Sequence, residues 1–447
     1  MRRFPRLRDL DESLTMQFVV PVILENSLTI FISMAVSQVV STISASALAA
    51  IGMANSVMNV VSALFSMVTT GTSVLVSRQI GAGENEDAAD SIEQSTFLTL
   101  ITTMVLTLLG MLLASPLLHL LMPSAEAGMF MEAVRYFRIL MISLPFLILH
   151  SVFSGVCRGL GNSRTPMITA IVMNLSQLLF AWLCIRILGW NELGAGAAIV
   201  ICRVVGAGLL FVTLLKDQRR FTLRLRNMLR PHAATCRRIL RIGLPMSLES
   251  LFVQLGYMLG NTMAIALGSF ASGVSQIIGT VNTFTGLPQG ICAAVAMSSV
   301  GHLLGKKDYK GAKIAGWTIW ALGIVTSAAL GLIAYTFGES ICGIYSSDPA
   351  TIKESARLLW ILLFMNATGV SINAIDPQLR VGGDVTYVMT TTLIAVWLIR
   401  LPLTWLLCFY WDFGVLGIYL GNTIALAFRM TTGLIRYCSN KWMYKRV

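Results

Sequence analysis

The stretch Val20-Pro21-Val22-Ile23-Leu24-Glu25-Asn26-Ser27 returns 224 positions later as Leu244-Pro245-Met246-Ser247-Leu248-Glu249-Ser250-Leu251. At the same offset Val76-Ser77-Arg78-Gln79-Ile80-Gly81 faces Val300-Gly301-His302-Leu303-Leu304-Gly305, and near offset 222 Cys157-Arg158-Gly159-Leu160-Gly161-Asn162 faces Leu379-Arg380-Val381-Gly382-Gly383-Asp384. A chain that carries half its length twice must fold as two copies of one unit. Its composition says in which solvent. Hydrophobic residues make up 55% and charged ones 12%, and the mean hydropathy is +0.75. Those values exclude an ordinary soluble protein and define an integral membrane protein.

A helix crosses the hydrocarbon with about 20 apolar residues, because backbone groups in lipid must be bonded within the segment. Apolar stretches between polar breaks give twelve spans, roughly 15–40, 46–77, 94–118, 135–157, 165–188, 194–215, 241–267, 271–300, 314–337, 355–379, 387–410 and 414–436. The runs are too long and too continuously apolar for barrel strands. The predicted fold is an all-α integral membrane protein, twelve transmembrane helices in two six-helix lobes related by the repeat. The parts are an N-terminal segment 1–14, an N-lobe 15–215, a basic connector 216–240, a C-lobe 241–437 and a tail 438–447.

Of the 33 lysines and arginines, 25 fall on the side of the N-terminus, five on the other and three inside spans. The positive-inside rule then puts both termini in the cytoplasm of a bacterial inner membrane. The connector 216–241 alone supplies nine basic residues. The net charge of +12 thus matches anionic lipid headgroups, and no nucleic-acid partner is expected. Glu84, Glu86, Asp87, Asp90 and Glu93 read as a solvated helix start. The polar opening leads into a full span with no small-residue cleavage site, so no signal peptide is expected. The eight cysteines make no CxxC pair, and the chain has no P-loop, dinucleotide fingerprint or HExxH; neither an enzyme, a metal centre nor an ATP-driven pump is expected.

Charges inside a bilayer cost about 2.5–3.5 kcal/mol each on insertion scales, so those present need partners or a task. Glu25 and Glu249 occupy equivalent repeat positions, as do Arg203 and Arg429, 226 apart. The expectation is a repeated ion pair, Glu25 with Arg203 and Glu249 with Arg429, which either pins helices or leaves a glutamate to exchange a proton or cation. Asp376, with Arg380 four residues on, suggests a local salt bridge. Gln38 lies on the first span; Gln254, Tyr257 and Asn261 share one face of the seventh, suited to packing or to substrate. His150 reads as structural. Pro145, Pro288 and Pro402, with Gly279, Gly286 and Gly290, are candidate hinges.

Ala47-Leu48-Ala49-Ala50-Ile51-Gly52, Ser77-Arg78-Gln79-Ile80-Gly81-Ala82-Gly83, Arg158-Gly159-Leu160-Gly161-Asn162-Ser163-Arg164-Thr165-Pro166 and their counterparts in the second half follow in order along the chain. These motifs resemble those of the multidrug and toxic compound extrusion (MATE) family of the multidrug/oligosaccharidyl-lipid/polysaccharide exporter superfamily. The resemblance implies two six-helix lobes and antiport of organic cations against sodium ions or protons, with no other cofactor. It also implies that Asn174 matches a family asparagine, while Gln177, Val36, Ala181, Val253 and Ser371 stand where relatives carry other polar or acidic groups. Glu25, Glu249 or Asp376 would have to substitute for those acids. The expected partners are a small-molecule substrate and membrane lipids, the chain acting as a monomer. A lipid-linked precursor flippase and a non-transporting scaffold or sensor are the alternatives.

Overall fold

The computed structural model describes residues 28–29, 32, 45–121, 127–216, 226–346 and 348–444. The first predicted span, with Glu25 and Gln38, lies almost wholly outside the described residues. The other eleven predicted spans all coincide with helices. They are Ala45–Ala82, Asn85–Leu121, Ala127–Gly159, Arg164–Trp182 with Leu183–Ile187, Asn191–Lys216, Ala233–Ala266, Ser269–Thr285 with Leu287–Gly305, Tyr309–Thr336, Pro349–Leu358 with Trp360–Val381, Val385–Tyr410 in several turns, and Gly414–Cys438. Among the described residues nine helices are long and apolar enough to cross a bilayer, or ten if the bent pair 349–381 is one span.

Several helices outrun their apolar cores, since a helix satisfies its own backbone and can continue into the headgroup layer. Helix 233–266 takes in eight residues assigned to the connector, and helix 85–121 begins with Glu86 and Asp87 in its first turn. Glu84, Glu86 and Asp87 are exposed there, but Glu93 is buried, so the acidic stretch is only partly a solvated start.

Packing divides the chain into two compact units, one running to Ser247 and one beginning at Leu248. In the first, helix 127–159 is the axis: Tyr136, Phe137, Leu140, Met141 and Leu144 are all essentially inaccessible. Helix 85–121 turns Met104, Leu108 and Leu112 outward, the apolar face a bilayer requires. The start of helix 233–266 docks on helix 45–82 at backbone distance, because a Cβ on Gly243 would fall on the Met67 carbonyl and one on Gly71 would lie 2.8 Å from the Ile239 carbonyl. In the second unit the axis is helix 360–381, buried at Ile361, Leu362, Val370, Leu379 and Val381.

The repeat in sequence is a repeat in backbone. Helices 127–159 and 360–381 end alike: the Asn162 amide donates to the Cys157 carbonyl at 2.9 Å and the Asp384 amide to the Leu379 carbonyl at 2.8 Å, around Gly161 and Gly383 at φ +84° and +94°. Left-handed glycines close such helix ends. The fifth and eleventh spans likewise end in π-helical turns, Leu183–Ile187 and Leu406–Tyr410. Of the candidate hinges, Gly286 separates helices 269–285 and 287–305, with Pro288 in the first turn of the second. Pro402 sits between two π-helical segments, where wider turns absorb its missing donor. Pro145 lies inside an unbroken helix and is not a break.

Candidate functional site

Four charges of the second unit meet in its interior. Glu249 comes from helix 233–266, one turn after Pro245; Asp376 and Arg380 come from helix 360–381, and Arg429 from helix 414–438. Arg380 Nη2 donates to both carboxylate oxygens of Glu249, at 2.9 and 2.8 Å. Arg429 Nη2 bridges Glu249 Oε1 at 2.8 Å and Asp376 Oδ2 at 2.6 Å. Thr392 Oγ1 lies 2.8 Å from Glu249 Oε1. The Glu249 side chain is 5% exposed and that of Asp376 7%, so the ions are held where an unpaired charge would not be tolerated.

Glu249 and Arg429 therefore form an ion pair, but within a four-charge cluster. The local Asp376–Arg380 bridge is corrected: Asp376 pairs with Arg429, and Arg380 pairs with Glu249. Four residues apart, the two side chains share a face, and that face meets ions on two other helices that outbid the local partner. The cluster sums to zero charge, yet it is unevenly bonded. Glu249 receives two guanidiniums and a hydroxyl, whereas Asp376 receives one guanidinium. The Nε–H groups of Arg380 and Arg429 are buried without a hydrogen-bond partner, leaving donors free for a rearranged network.

Farther along helix 233–266, Tyr257 lies beneath Arg400, whose guanidinium carbon is 4.2 Å from the ring centroid; the tip of Arg400 reaches the backbone at Gly260. Gln254 is half-buried and Asn261 exposed. At the break before helix 287–305, Gln289 Nε2 donates to Asn366 Oδ1 at 2.8 Å, and Asn366 Nδ2 donates to Thr285 Oγ1 at 2.8 Å. In the first unit Asn174 Nδ2 donates to Thr29 Oγ1 at 3.0 Å, and Cys202 Sγ approaches Gln177 Oε1 at 3.9 Å. Arg203 Nη1 donates to Ser143 Oγ. The pairing of Arg203 with Glu25 lies outside the described residues. His150 is buried, with Nε2 unpartnered.

Sequence reasoning left Thr392, Arg400 and the Gln289–Asn366 link unmarked. For Arg400 the signal was present, a basic residue within an apolar run; Thr392, third in a run of threonines, offered none.

Among the described residues, two all-helical units, apolar helices long enough to cross a bilayer and an ion cluster buried in one unit define a polytopic membrane protein. The sequence profile of the MatE family matches residues 21–183 and 245–406, once in each half. The chain belongs to the MatE family. Among its relatives, the probable multidrug resistance protein NorM of Thermotoga maritima is 28% identical over 442 residues, covering 96% of this chain and 93% of that one. The uncharacterized transporter YisQ of Bacillus subtilis is 25% identical, with 95% and 94% covered. Among solved structures, an outward-facing multidrug resistance MATE family transporter superposes with a TM-score of 0.88 at 19% identity, covering 98% of this chain and 99% of that one. A MOP superfamily transporter from Pyrococcus furiosus superposes with a TM-score of 0.87 at 20% identity over the whole of both chains. The protein is thus a multi-pass membrane transporter of this family.

Proposed function

We propose that the chain exports amphipathic, cationic small molecules from a bacterial cytoplasm by antiport against protons or sodium ions, through alternating access, with both termini cytoplasmic. Relatives named as multidrug resistance proteins support the substrate class, and the placement of lysine and arginine supports the orientation. The observation that carries the coupling is the uneven bonding around Arg429. Glu249 anchors the two guanidiniums, and Asp376, held by one of them, is the carboxylate that a proton or cation can claim. Neutralising Asp376 releases one contact of Arg429, and the freed donors must find new partners. A buried ion network with two arrangements is the kind of element that links an ion gradient to a conformational change.

The test is efflux of a fluorescent organic cation from proteoliposomes under imposed proton or sodium gradients. Asp376→Asn should abolish gradient-driven efflux while leaving substrate binding and folding in place. Coupled efflux that persists undiminished in Asp376→Asn would remove the coupling role from this residue, and an absence of efflux by the wild type under either gradient would overturn the antiport reading.

A further inference from the structure

The first unit holds a cavity of about 390 Å³ that the ion cluster of the second unit does not touch. It lies between helices 85–121, 127–159 and 191–216, walled by Leu100, Phe146, Phe153 and Phe211 and capped by Met228 of the connector. Phe153 and Phe211 stack at 5.6 Å. Its one polar wall residue, Thr96, spends its hydroxyl on the Ile92 carbonyl. With no carboxylate, amide or free hydroxyl in the wall, the cavity suits hydrocarbon, and its size falls in the range of about 300–1,000 Å³ typical of ligand pockets.

The cavity opens sideways. Val204, Gly208 and Val212 lie along one face of helix 191–216 and are exposed, and a Cβ built on Gly208 meets nothing within 4 Å. Ile101, Met104 and Val105 of helix 85–121 are exposed too, and exposed apolar side chains along spanning helices face the acyl chains of the bilayer. Above it the connector is fixed by Gln94, whose Nε2 donates to the carbonyls of Asn227 and Arg230 at 3.4 and 3.1 Å and whose Oε1 accepts from the His232 amide at 2.8 Å. That fixing sets the exposed Arg226 and Arg230 on either side of the Met228 cap. Lys216 is exposed at the end of helix 191–216. On this stretch of helix 85–121, Glu93 is buried, Asp90 faces His232 and Thr235, and Glu86 and Asp87 are exposed.

We infer that this cavity is a binding site for one anionic phospholipid of the connector-side leaflet, an acyl chain entering past Gly208 and the phosphate headgroup resting on Arg226 and Arg230. An apolar slot at lipid depth beneath exposed guanidiniums matches the two ends of that molecule, whereas a cationic head would meet like charge there. The site is independent of the coupling cluster.

The test is native mass spectrometry of the full chain in mild detergent, titrated with phosphatidylglycerol and, separately, with phosphatidylcholine carrying the same tails. The wild type should hold one phosphatidylglycerol at least tenfold more tightly than phosphatidylcholine. Gly208→Leu, which fills the mouth, should weaken phosphatidylglycerol at least tenfold with an unchanged melting temperature; Val204→Phe, also at the mouth, serves if Gly208→Leu does not fold. Arg226→Gln with Arg230→Gln should erase the headgroup preference and keep the tail-dependent binding. Equal affinity of the wild type for both lipids, or binding unaffected by filling the mouth, would overturn the proposal. So would competitive displacement of the lipid by a lipophilic cation whose efflux Gly208→Leu abolishes, which would make the cavity a substrate site.

Discussion

The two halves share a backbone plan but not a charge inventory. In the second half Glu249, Asp376, Arg380 and Arg429 close around one another with Thr392. The repeat carries Arg380 and Arg429 onto Arg158 and Arg203, but it carries Asp376 onto Ser154 and Thr392 onto Ala170. The first half thus retains the basic partners and lacks the second carboxylate. Ala170 has no hydroxyl to offer and its neighbour Thr169 turns its own to the Thr165 and Pro166 carbonyls, whereas Thr392 reaches Glu249 as well as the Val388 carbonyl. Duplication preserved the helix ends and the π-helical turns, which backbone geometry enforces. Charges are freer to diverge, and here the divergence places Asp376 in the second half where the first has Ser154.

The largest expected effect follows from removing the anchor. Glu249→Gln leaves two buried guanidiniums facing one aspartate, and taking one member from a buried ion network costs about 3–5 kcal/mol. A large drop in thermal stability in detergent, together with loss of coupled efflux, is expected. Adding Arg380→Gln should recover part of the stability by removing a stranded cation. A loss of the same size for Glu25→Gln would break the comparison by making the halves energetically equivalent.

Next comes the residue that distinguishes the halves. Asp376→Ser copies Ser154 into the second half and should cost about 1.5–3 kcal/mol, the worth of a hydrogen bond to a charged group, since Arg429 keeps Glu249. Its larger consequence is on transport, where gradient coupling should vanish. Retention of coupling would show that the serine-bearing arrangement suffices in both halves. A smaller and sharper contrast is Thr392→Val against Thr169→Val. The first removes a donor to Glu249 and should cost about 1–2 kcal/mol. The second frees only helix carbonyls already in the ladder and should change stability by less than about 0.5 kcal/mol. Equal effects on detergent melting would mean that the Thr392–Glu249 bond contributes nothing.

What the sequence made legible was whatever period and offset encode. Apolar run length marked eleven described spans, and offset arithmetic placed Glu249 with Arg429 because equivalent helices of a duplicated unit pack alike. Asp376 was misassigned for a physical reason. Spacing of four reports only the partner on its own helix, worth about 0.2–0.5 kcal/mol in an isolated helix, and says nothing of ions arriving from other helices. Arg400 over Tyr257 and the connector's fixing by Gln94 were invisible for the same reason: each joins residues more than 130 positions apart. The π-helical turns carried no sequence mark at all in Leu183–Ile187.

The smallest predicted effect tests how strictly the shared backbone plan holds. Gly83 and Lys307 are repeat equivalents that both close a helix end in the left-handed region, at φ +81° and +60°. The Glu84 amide donates to the Gln79 carbonyl and the Asp308 amide to the Leu303 carbonyl, each at 2.9 Å. The geometry is the same, but only the first half uses the residue that adopts it without a Cβ penalty. A left-handed non-glycine residue costs about 1–2 kcal/mol, against which glycine loses about 0.5–1 kcal/mol of chain entropy. Lys307→Gly should therefore raise stability by about 0.5 kcal/mol, and Gly83→Ala should lower it by about the same amount. Opposite shifts in detergent melting, with efflux unchanged, would show that the two turns are one structure carried by different residues. Shifts of the same sign would mean that the Lys307 side chain, not its backbone, holds the second turn.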